Sequence, residues 1–322
     1  TGTGVNYVHG TAEVDAQRKV VIVNEDDEYE YDKLLVCTGS SPYIPNIHGA
    51  DKAYTYKDTL KFKEVPEKLV IIGGGSTAAE YAGIYSSMGS QVEILCRSQF
   101  LKMLNDPEAE EYIVRNLLKN TIIHENVEIK EITDTSVITN FGEIKGTVLL
   151  ATGVTPNSEI VKDVVKLDEK GNIIVDQYMQ TSNEDIYAAG DVIGGILSTP
   201  VSRMEGMTAI KNIMGEQITP DYSLIPLTIT LPYDVSYVLG NQVSDIGTSA
   251  KLPGAAGPGT FWHMLDGKLG YTKEVVNSDG EITDILAITP SSNIALPYMI
   301  KSIKDGNKIT DFDNFLEIHP ST

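Results

Sequence analysis

Cysteine is scarce in this chain: there are two in 322 residues, Cys37 and Cys96, each within an apolar strand-like run. Two thiols so placed supply neither a disulfide framework nor a zinc site. Both are expected in the core, where free cysteine usually sits. Long apolar runs are missing too. No stretch reaches the roughly 20 residues that cross a bilayer, and Thr1-Gly2-Thr3-Gly4 has neither the basic nor the apolar character of a signal peptide. A cytoplasmic protein without a membrane partner is expected. Basic side chains are in deficit, 25 Lys and Arg against 45 Asp and Glu, for a net charge of −20. Such a surface repels nucleic acid and anionic lipid, so neither is expected as a partner. Histidines 9, 48, 124 and 263 are scattered singly and carry no chemistry here, and no metal site is expected. Internal repeats and long low-complexity tracts are absent.

What is present is enough apolar residue, 41%, to bury a large core over two or three domains. Val20-Val21-Ile22-Val23 and Leu34-Leu35-Val36-Cys37 read as strands, with the acidic residues 24–30 as the turn between them. Residues 54–63 read as a short helix stopped ahead of Pro66. From Lys68 the order becomes strand (Leu69-Val70-Ile71-Ile72), glycine turn (Gly73-Gly74-Gly75), helix (76–88) and strand (91–96), the opening of a doubly wound sheet. Pro107 starts a second helix with Asp106 as its cap and Ile113, Leu117 and Leu118 on its inner face. Strands are expected at 148–154 and from Ile186 into Ala189-Gly190-Asp191, followed by a helix at about 202–214. Beyond Gly215 the character changes to β-rich segments at 227–230, 237–239 and 282–289 around a Gly/Pro-rich insert at 253–259, read as a separate α+β domain.

Gly73-x-Gly75-x-x-Ala78, directly after a strand and opening a helix, satisfies the context of the dinucleotide fingerprint. Gly73 permits the tight turn, Gly75 lets a pyrophosphate approach the backbone, and Ala78 lets the helix sit close to the sheet. The helix N-terminus adds free N–H groups and a positive dipole, and Ser76 and Thr77 add donors. At the end of the next strand a carboxylate would suit the ribose of NADH and a cation the 2′-phosphate of NADPH. That end is Cys96-Arg97, with Lys102 as a second cation, whereas Glu93 lies inside the strand. NADPH is therefore expected over NADH, with Arg97 as a plain surface charge the competing reading.

Several segments together resemble the FAD-dependent pyridine nucleotide-disulfide oxidoreductase family of lipoamide dehydrogenase, glutathione reductase and mercuric reductase. Leu35-Val36-Cys37-Thr38-Gly39-Ser40 with Pro42 and Pro45 is similar to its first alanine-threonine-glycine signature, with Cys37 in the alanine position. Residues 70–80 resemble its nicotinamide fingerprint, residues 150–157 its second alanine-threonine-glycine signature, and residues 181–191 its second flavin motif. Thr230-x-Pro232-x-x-Val235-Ser236 and Ile318-His319-Pro320-Ser321 approximate the start and end of its interface domain.

The resemblance implies an α/β fold of Rossmann-like FAD- and NAD(P)-binding domains followed by an α+β interface domain. It divides the chain into a partial FAD-binding domain (1–66 and 156–219), an NAD(P)-binding domain (67–155) and a dimerisation domain (220–322). It assigns Gly73, Gly75, Ser76, Arg97 and Gly153 to the nicotinamide dinucleotide, and Thr38, Gly39 and Asp191 to the flavin side. Asp191 would accept a ribityl hydroxyl, with a plain helix cap as its alternative. Glu80 falls where nicotinamide meets flavin. With Glu317 and His319 it completes the candidate catalytic residues. The implied activity passes hydride from nicotinamide to flavin and electrons on to a disulfide or another acceptor in a homodimer.

The sequence departs from the family pattern in two ways. Neither the glycine-rich flavin ADP motif nor the pair of cysteines four residues apart occurs, so a fragment of a longer protein is expected, with weak or absent flavin binding on its own. Near the C-terminus Glu317 occupies the place of the family's acid/base histidine, two residues before His319. An unperturbed glutamate near pKa ~4.3 acts as an acid at neutral pH only if burial raises it. A surface carboxylate and a packing histidine are the alternatives. Two further functions stay open: a dinucleotide-binding or redox-sensing module without turnover, and a flavin-independent dehydrogenase acting on a small carbonyl compound.

Overall fold

The structure is a computed structural model that describes residues 2, 4–239, 248–253, 270–290 and 292–312. Its contacts divide the chain into two units, Thr1–Ser41 with Val154–Asp221, and Pro42–Gly153 with Tyr222–Thr322.

The first unit opens with an antiparallel meander of Ala12–Asp15, Val20–Val23 and Asp27–Glu30. The third strand corrects the expectation of a turn over the whole acidic stretch. Asn24 and Glu25 take left-handed backbone angles (φ 52° and 71°), which closes the hairpin within a few residues and leaves Asp27 free to pair with Val23. The acidic side chains are tolerated because this is an edge strand, exposed along its length, with Glu28 paired to Arg18. Leu34–Val36 runs parallel to Ile186–Ala188, and Val36, Ile186 and Ala188 pack with Val161, Val165, Ile173 and Val192. The following helix, Thr199–Ile213, begins three residues earlier than expected, because Pro200 lies in a first turn where a missing N–H costs nothing.

The second unit is built on a parallel sheet of Thr147–Leu150, Lys68–Ile72, Gln91–Leu95 and Thr121–His124, in that spatial order. Near-continuous apolar strands suit a sheet covered on both faces. Leu69, Ile71, Ile94 and Leu149 are fully buried, each worth about 1.5–3 kcal/mol of transfer free energy. Helix Ser76–Ser87 lies close against one face because its inward positions are Ala78, Ala79, Ala82 and Gly83. Asp106 caps Pro107–Tyr112 by accepting the N–H groups of Glu108 and Ala109, as expected from Asp-Pro. An unanticipated meander, Ile129–Ile132, Ser136–Thr139 and Gly142–Lys145, packs Ile132, Val137 and Ile144 against Val70, Ile72, Val148 and Leu150.

Residues 225–289 of this unit contribute to a five-stranded antiparallel sheet in the order Ile225–Ile229, Asp234–Leu239, Ile282–Thr289, Tyr271–Val276, Thr248–Pro253. Helix Ser292–Lys304 covers one face through Leu296 and Ile300. Val235, Tyr237, Tyr271, Leu286 and Ile288 join the same core as the helix and sheet around Leu69. No helix among the described residues is long and apolar enough to cross a membrane.

Candidate nucleotide site

The carboxyl ends of three adjacent parallel strands meet at Ile72, Leu95 and Leu150, the edge at which open α/β sheets bind ligands. Chain packing there dictates the glycine turn. Gly73 has φ 137°, donates its N–H to Leu95 O at 3.0 Å, and has no room for a side chain, since a Cβ would lie 2.1 Å from the carbonyl oxygen of Ala151. Gly74 backs onto Cys96, whose sulfur would be 2.9 Å from an added Cβ. The Cys96 thiol faces the Gly73 carbonyl at 3.7 Å. Burial first, then the charges of Glu125 and Glu110, push the Cys96 pKa up to about 12, which makes it an inert packing group, as expected.

Gly75 differs. Its backbone is extended (φ −94°, ψ −172°), open to any residue, and an added Cβ would meet only Met103 Cε, at an ordinary 3.6 Å. The N-cap of helix Ser76–Ser87 is Gly75, which has no side chain to cap it, so the first-turn N–H groups keep the anion-binding capacity of a helix start. Gly153 lies two residues beyond Ala151 with φ 96° and open space at its Cβ position. Its carbonyl accepts the Tyr43 N–H at 2.9 Å while the Thr152 hydroxyl donates to Tyr43 O at 2.7 Å. One sheet edge thus carries Gly73, Gly75, Ser76 and Gly153.

Arg97 follows the strand end, exposed, and without an ion-pair partner among the described residues. Glu93 is occupied: Lys68 Nζ pairs with one oxygen and His124 Nε2 lies 2.8 Å from the other. Burial raises the Glu93 carboxyl, but these partners outweigh it and hold it below the ordinary range. Glu80, half-buried on the glycine-turn helix, accepts the Thr230 N–H at 3.0 Å through one oxygen.

In the other unit, Thr38, Gly39 and Asp191 follow the ends of two paired strands, where the Ala189 N–H donates to Val36 O. Asn157, which sequence reasoning missed as a site residue, organises this end. It receives the Thr38 hydroxyl on its carbonyl (2.6 Å), donates its amide to Thr38 O (2.9 Å) and its backbone N–H to Gly39 O (2.9 Å), and accepts the Ser41 hydroxyl (2.8 Å). Its place as the last residue of the 150–157 signature was the available signal. Asp191 lies within the short helical turn Gly190–Ile193, whose N-cap is Ala189, and one of its oxygens accepts the Ser40 hydroxyl at 2.8 Å. Glu205, 3% exposed, accepts the N–H of Gly190 at 2.8 Å.

Cys37 corrects an expectation. It is exposed rather than buried. Alternation along Leu34–Val36 turns Val36 inward and the next side chain out. Neighbouring bulk still pushes its thiol pKa up, opposed by the Ala189 N–H. Glu317 and His319 lie outside the described residues.

A strand, glycine turn and helix at the carboxyl edge of a parallel sheet define a Rossmann-type α/β fold. The chain belongs to the pyridine nucleotide-disulphide oxidoreductase family, whose profile matches residues 1–206. It is 32% identical over 300 residues to an uncharacterized protein of Methanocaldococcus jannaschii, covering 91% of this chain and 67% of that one. A mercuric reductase of Staphylococcus aureus is 34% identical over 197 residues, 56% of this chain and 36% of that enzyme. The chain thus spans little more than a third of the mercuric reductase. Among solved structures, the HOCl-induced flavoprotein disulfide reductase RclA of Escherichia coli shares the fold with a TM-score of 0.89, covering 98% of this chain and 76% of that one at 21% identity.

Proposed function

We propose that the chain is the nucleotide-handling body of an FAD-dependent NAD(P)H oxidoreductase that delivers electrons to a disulfide or another small-molecule or protein acceptor. The observation that carries this reading is the asymmetry of the glycine turn. Protein atoms fill the space over Gly73, while at Gly75, the N-cap of the helix, an added Cβ would have Met103 Cε as its one contact within 4 Å among the described residues. The chain's own packing demands the first glycine; approach of a ligand accounts for the second. Gly73, Gly75, Ser76 and Gly153 would hold the nicotinamide dinucleotide, and Thr38, Gly39 and Asp191 would lie toward the flavin. When bound, the two cofactors supply the hydride and electron chemistry. Asp191 keeps its second oxygen for a hydroxyl donor, and Glu80, pinned by Thr230, has one oxygen left to orient a neighbour. Segments 1–66 with 156–219, 67–155 and 220–322 would serve as partial FAD, NAD(P) and interface domains. Glu317 and His319 remain the proposed acid/base pair.

Glu93 is engaged by Lys68 and His124, so Arg97 is the group available at the strand end, and the reading includes a preference for NADPH. Calorimetric titration of the purified chain, with a visible spectrum for flavin, tests it. NADPH is expected to bind about tenfold or more tighter than NADH, and Arg97→Ala to remove most of that difference, at least about 1.4 kcal/mol. Equal or tighter NADH binding contradicts the preference, and binding of neither contradicts the nucleotide site.

The thiols favour a second reading, a nucleotide-binding or redox-sensing module without turnover. Cys96 is inert, and Cys37 lies 59 positions from it in sequence (96 − 37), not in a closely spaced pair. NADPH binding without diaphorase activity in a flavin-loaded longer protein would select it.

Homodimerisation belongs to the leading reading. Helix Ser292–Lys304 exposes Ile294 (65%) and Tyr298 (77%) one turn apart on one face, apolar area suited to a second copy. Sedimentation at micromolar concentration is expected to give a dimer; a monomer would count against this element.

A further inference from the structure

Among the described residues, the one side chain within 4 Å of a Cβ placed at Gly75 is Met103, which has no role in the proposed function. Met103 belongs to the short turn Lys102–Leu104, and both residues flanking that turn, Leu101 (φ 45°) and Asn105 (φ 47°), are left-handed without being glycine. For a branched side chain such as leucine this conformation is unfavourable. It persists because both flanks are anchored. Phe100 and Leu101 are buried, the Phe100 N–H donates to Glu125 Oε1 at 2.6 Å, and the Leu101 N–H donates to Gly74 O at 2.8 Å. On the far side, buried Asp106 caps the next helix. Between these anchors Met103 is held against the open side of Gly75 while 39% exposed. Its own burial does not account for that position; the fixed turn does.

We propose that Met103 is a positioning residue of the dinucleotide site, an apolar wall that seats the pyrophosphate shared by NADH and NADPH against the start of helix Ser76–Ser87. The inference rests on the dinucleotide reading of this edge. A thioether is uncharged and conformationally adaptable, so it narrows the approach without competing for the helix N–H groups. Its effect differs in kind from that of Arg97, which acts on the one group that separates the two nucleotides.

The test measures Kd for NADPH and for NADH on the full 322-residue chain and its variants, alongside melting temperature. A carboxylate next to a pyrophosphate repels it, so Met103→Glu is expected to weaken both nucleotides by roughly tenfold or more and by the same factor. Met103→Leu, which preserves the wall, is expected to stay within about threefold of the parent, and Met103→Ala to weaken both by about threefold to tenfold. Unchanged binding of both nucleotides by Met103→Glu, or by Met103→Ala should the charged variant fail to fold, overturns the proposal. So does a loss confined to NADPH. If the parent chain binds neither nucleotide, the dinucleotide reading falls and the proposal with it; if the parent binds and only the Met103 variants behave as the parent, the proposal alone falls.

Discussion

Gly73→Ala is expected to destabilise the nucleotide-binding unit severely, whereas Gly75→Ala is expected to fold normally and lose nucleotide affinity. At Gly73 the new methyl would sit 2.1 Å from Ala151 O, a backbone atom, and that backbone is tied down because the Ala151 N–H donates to Ile72 O at 2.8 Å. Relief by side-chain motion is therefore closed. The φ of 137° adds conformational strain for any L side chain. Overpacking and strain together should cost about 3–5 kcal/mol, lowering the melting temperature by on the order of 10 °C. At Gly75 the methyl meets one flexible atom at 3.6 Å in an extended backbone. Stability should change by no more than about 0.5 kcal/mol, while Kd for NAD(P)H should rise about tenfold as the methyl occupies the approach to the helix start. Thermal unfolding followed by circular dichroism and calorimetric titration separate the two. A Gly73→Ala protein as stable as the parent would contradict the close approach of the Ala151 strand end, and normal binding by Gly75→Ala would contradict a ligand at that glycine.

That contrast also shows where the sequence is informative. Local rules define the glycine turn, since strand, glycines and helix follow one another within twenty residues, and Asp106-Pro107 announces a helix start by itself. The same rules miss elements that exist through distant partners. In the 129–145 meander, Ile129, Ile132, Val137 and Ile144 are separated by Thr, Glu and Lys, too sparse an alternation to stand out until packed under Val70 and Leu150. Helix Ser292–Lys304 contains Pro297, a helix breaker by local preference, yet Leu296 and Ile300 hold it on the C-terminal sheet. Asp27–Glu30 reads as a turn because a strand of acidic residues is supported by its backbone pairing with Val20–Val23 and by the Glu28–Arg18 ion pair, both set by other parts of the chain. The site divides in the same way. Gly73, Gly75 and Gly153 are visible because backbone geometry is local. Asn157 and Ser40 act on residues 116 to 151 positions away, a separation no spacing rule reaches.

Asp106→Asn is expected to destabilise the protein by about 2–3 kcal/mol at neutral pH, with the deficit vanishing in acid. Asp106 is 8% exposed, caps helix Pro107–Tyr112 through the Glu108 and Ala109 N–H groups at 3.1 Å, and receives Lys273 Nζ at 2.7 Å. Burial alone raises its carboxyl. Lys273 and the two N–H groups outweigh that and hold the folded pKa below the ordinary value. With the folded pKa depressed, the contribution is complete above the unfolded pKa of about 3.9 and is lost as pH falls through the folded value. Glu93, also depressed, contributes with the same sign. Glu274, Asp284 and Asp234 oppose them: burial raises each, so each destabilises the fold when ionised and ceases to as it is protonated. Stability should therefore hold or rise slightly on mild acidification, then fall below about pH 4. In Asp106→Asn that lower limb should flatten, because the group whose protonation weakens the parent is gone, while asparagine still caps the helix. Denaturant unfolding between pH 3 and pH 7 measures both curves. A deficit as large at pH 3 as at pH 7 would mean that packing rather than the charge of Asp106 ties the helix start to the C-terminal sheet.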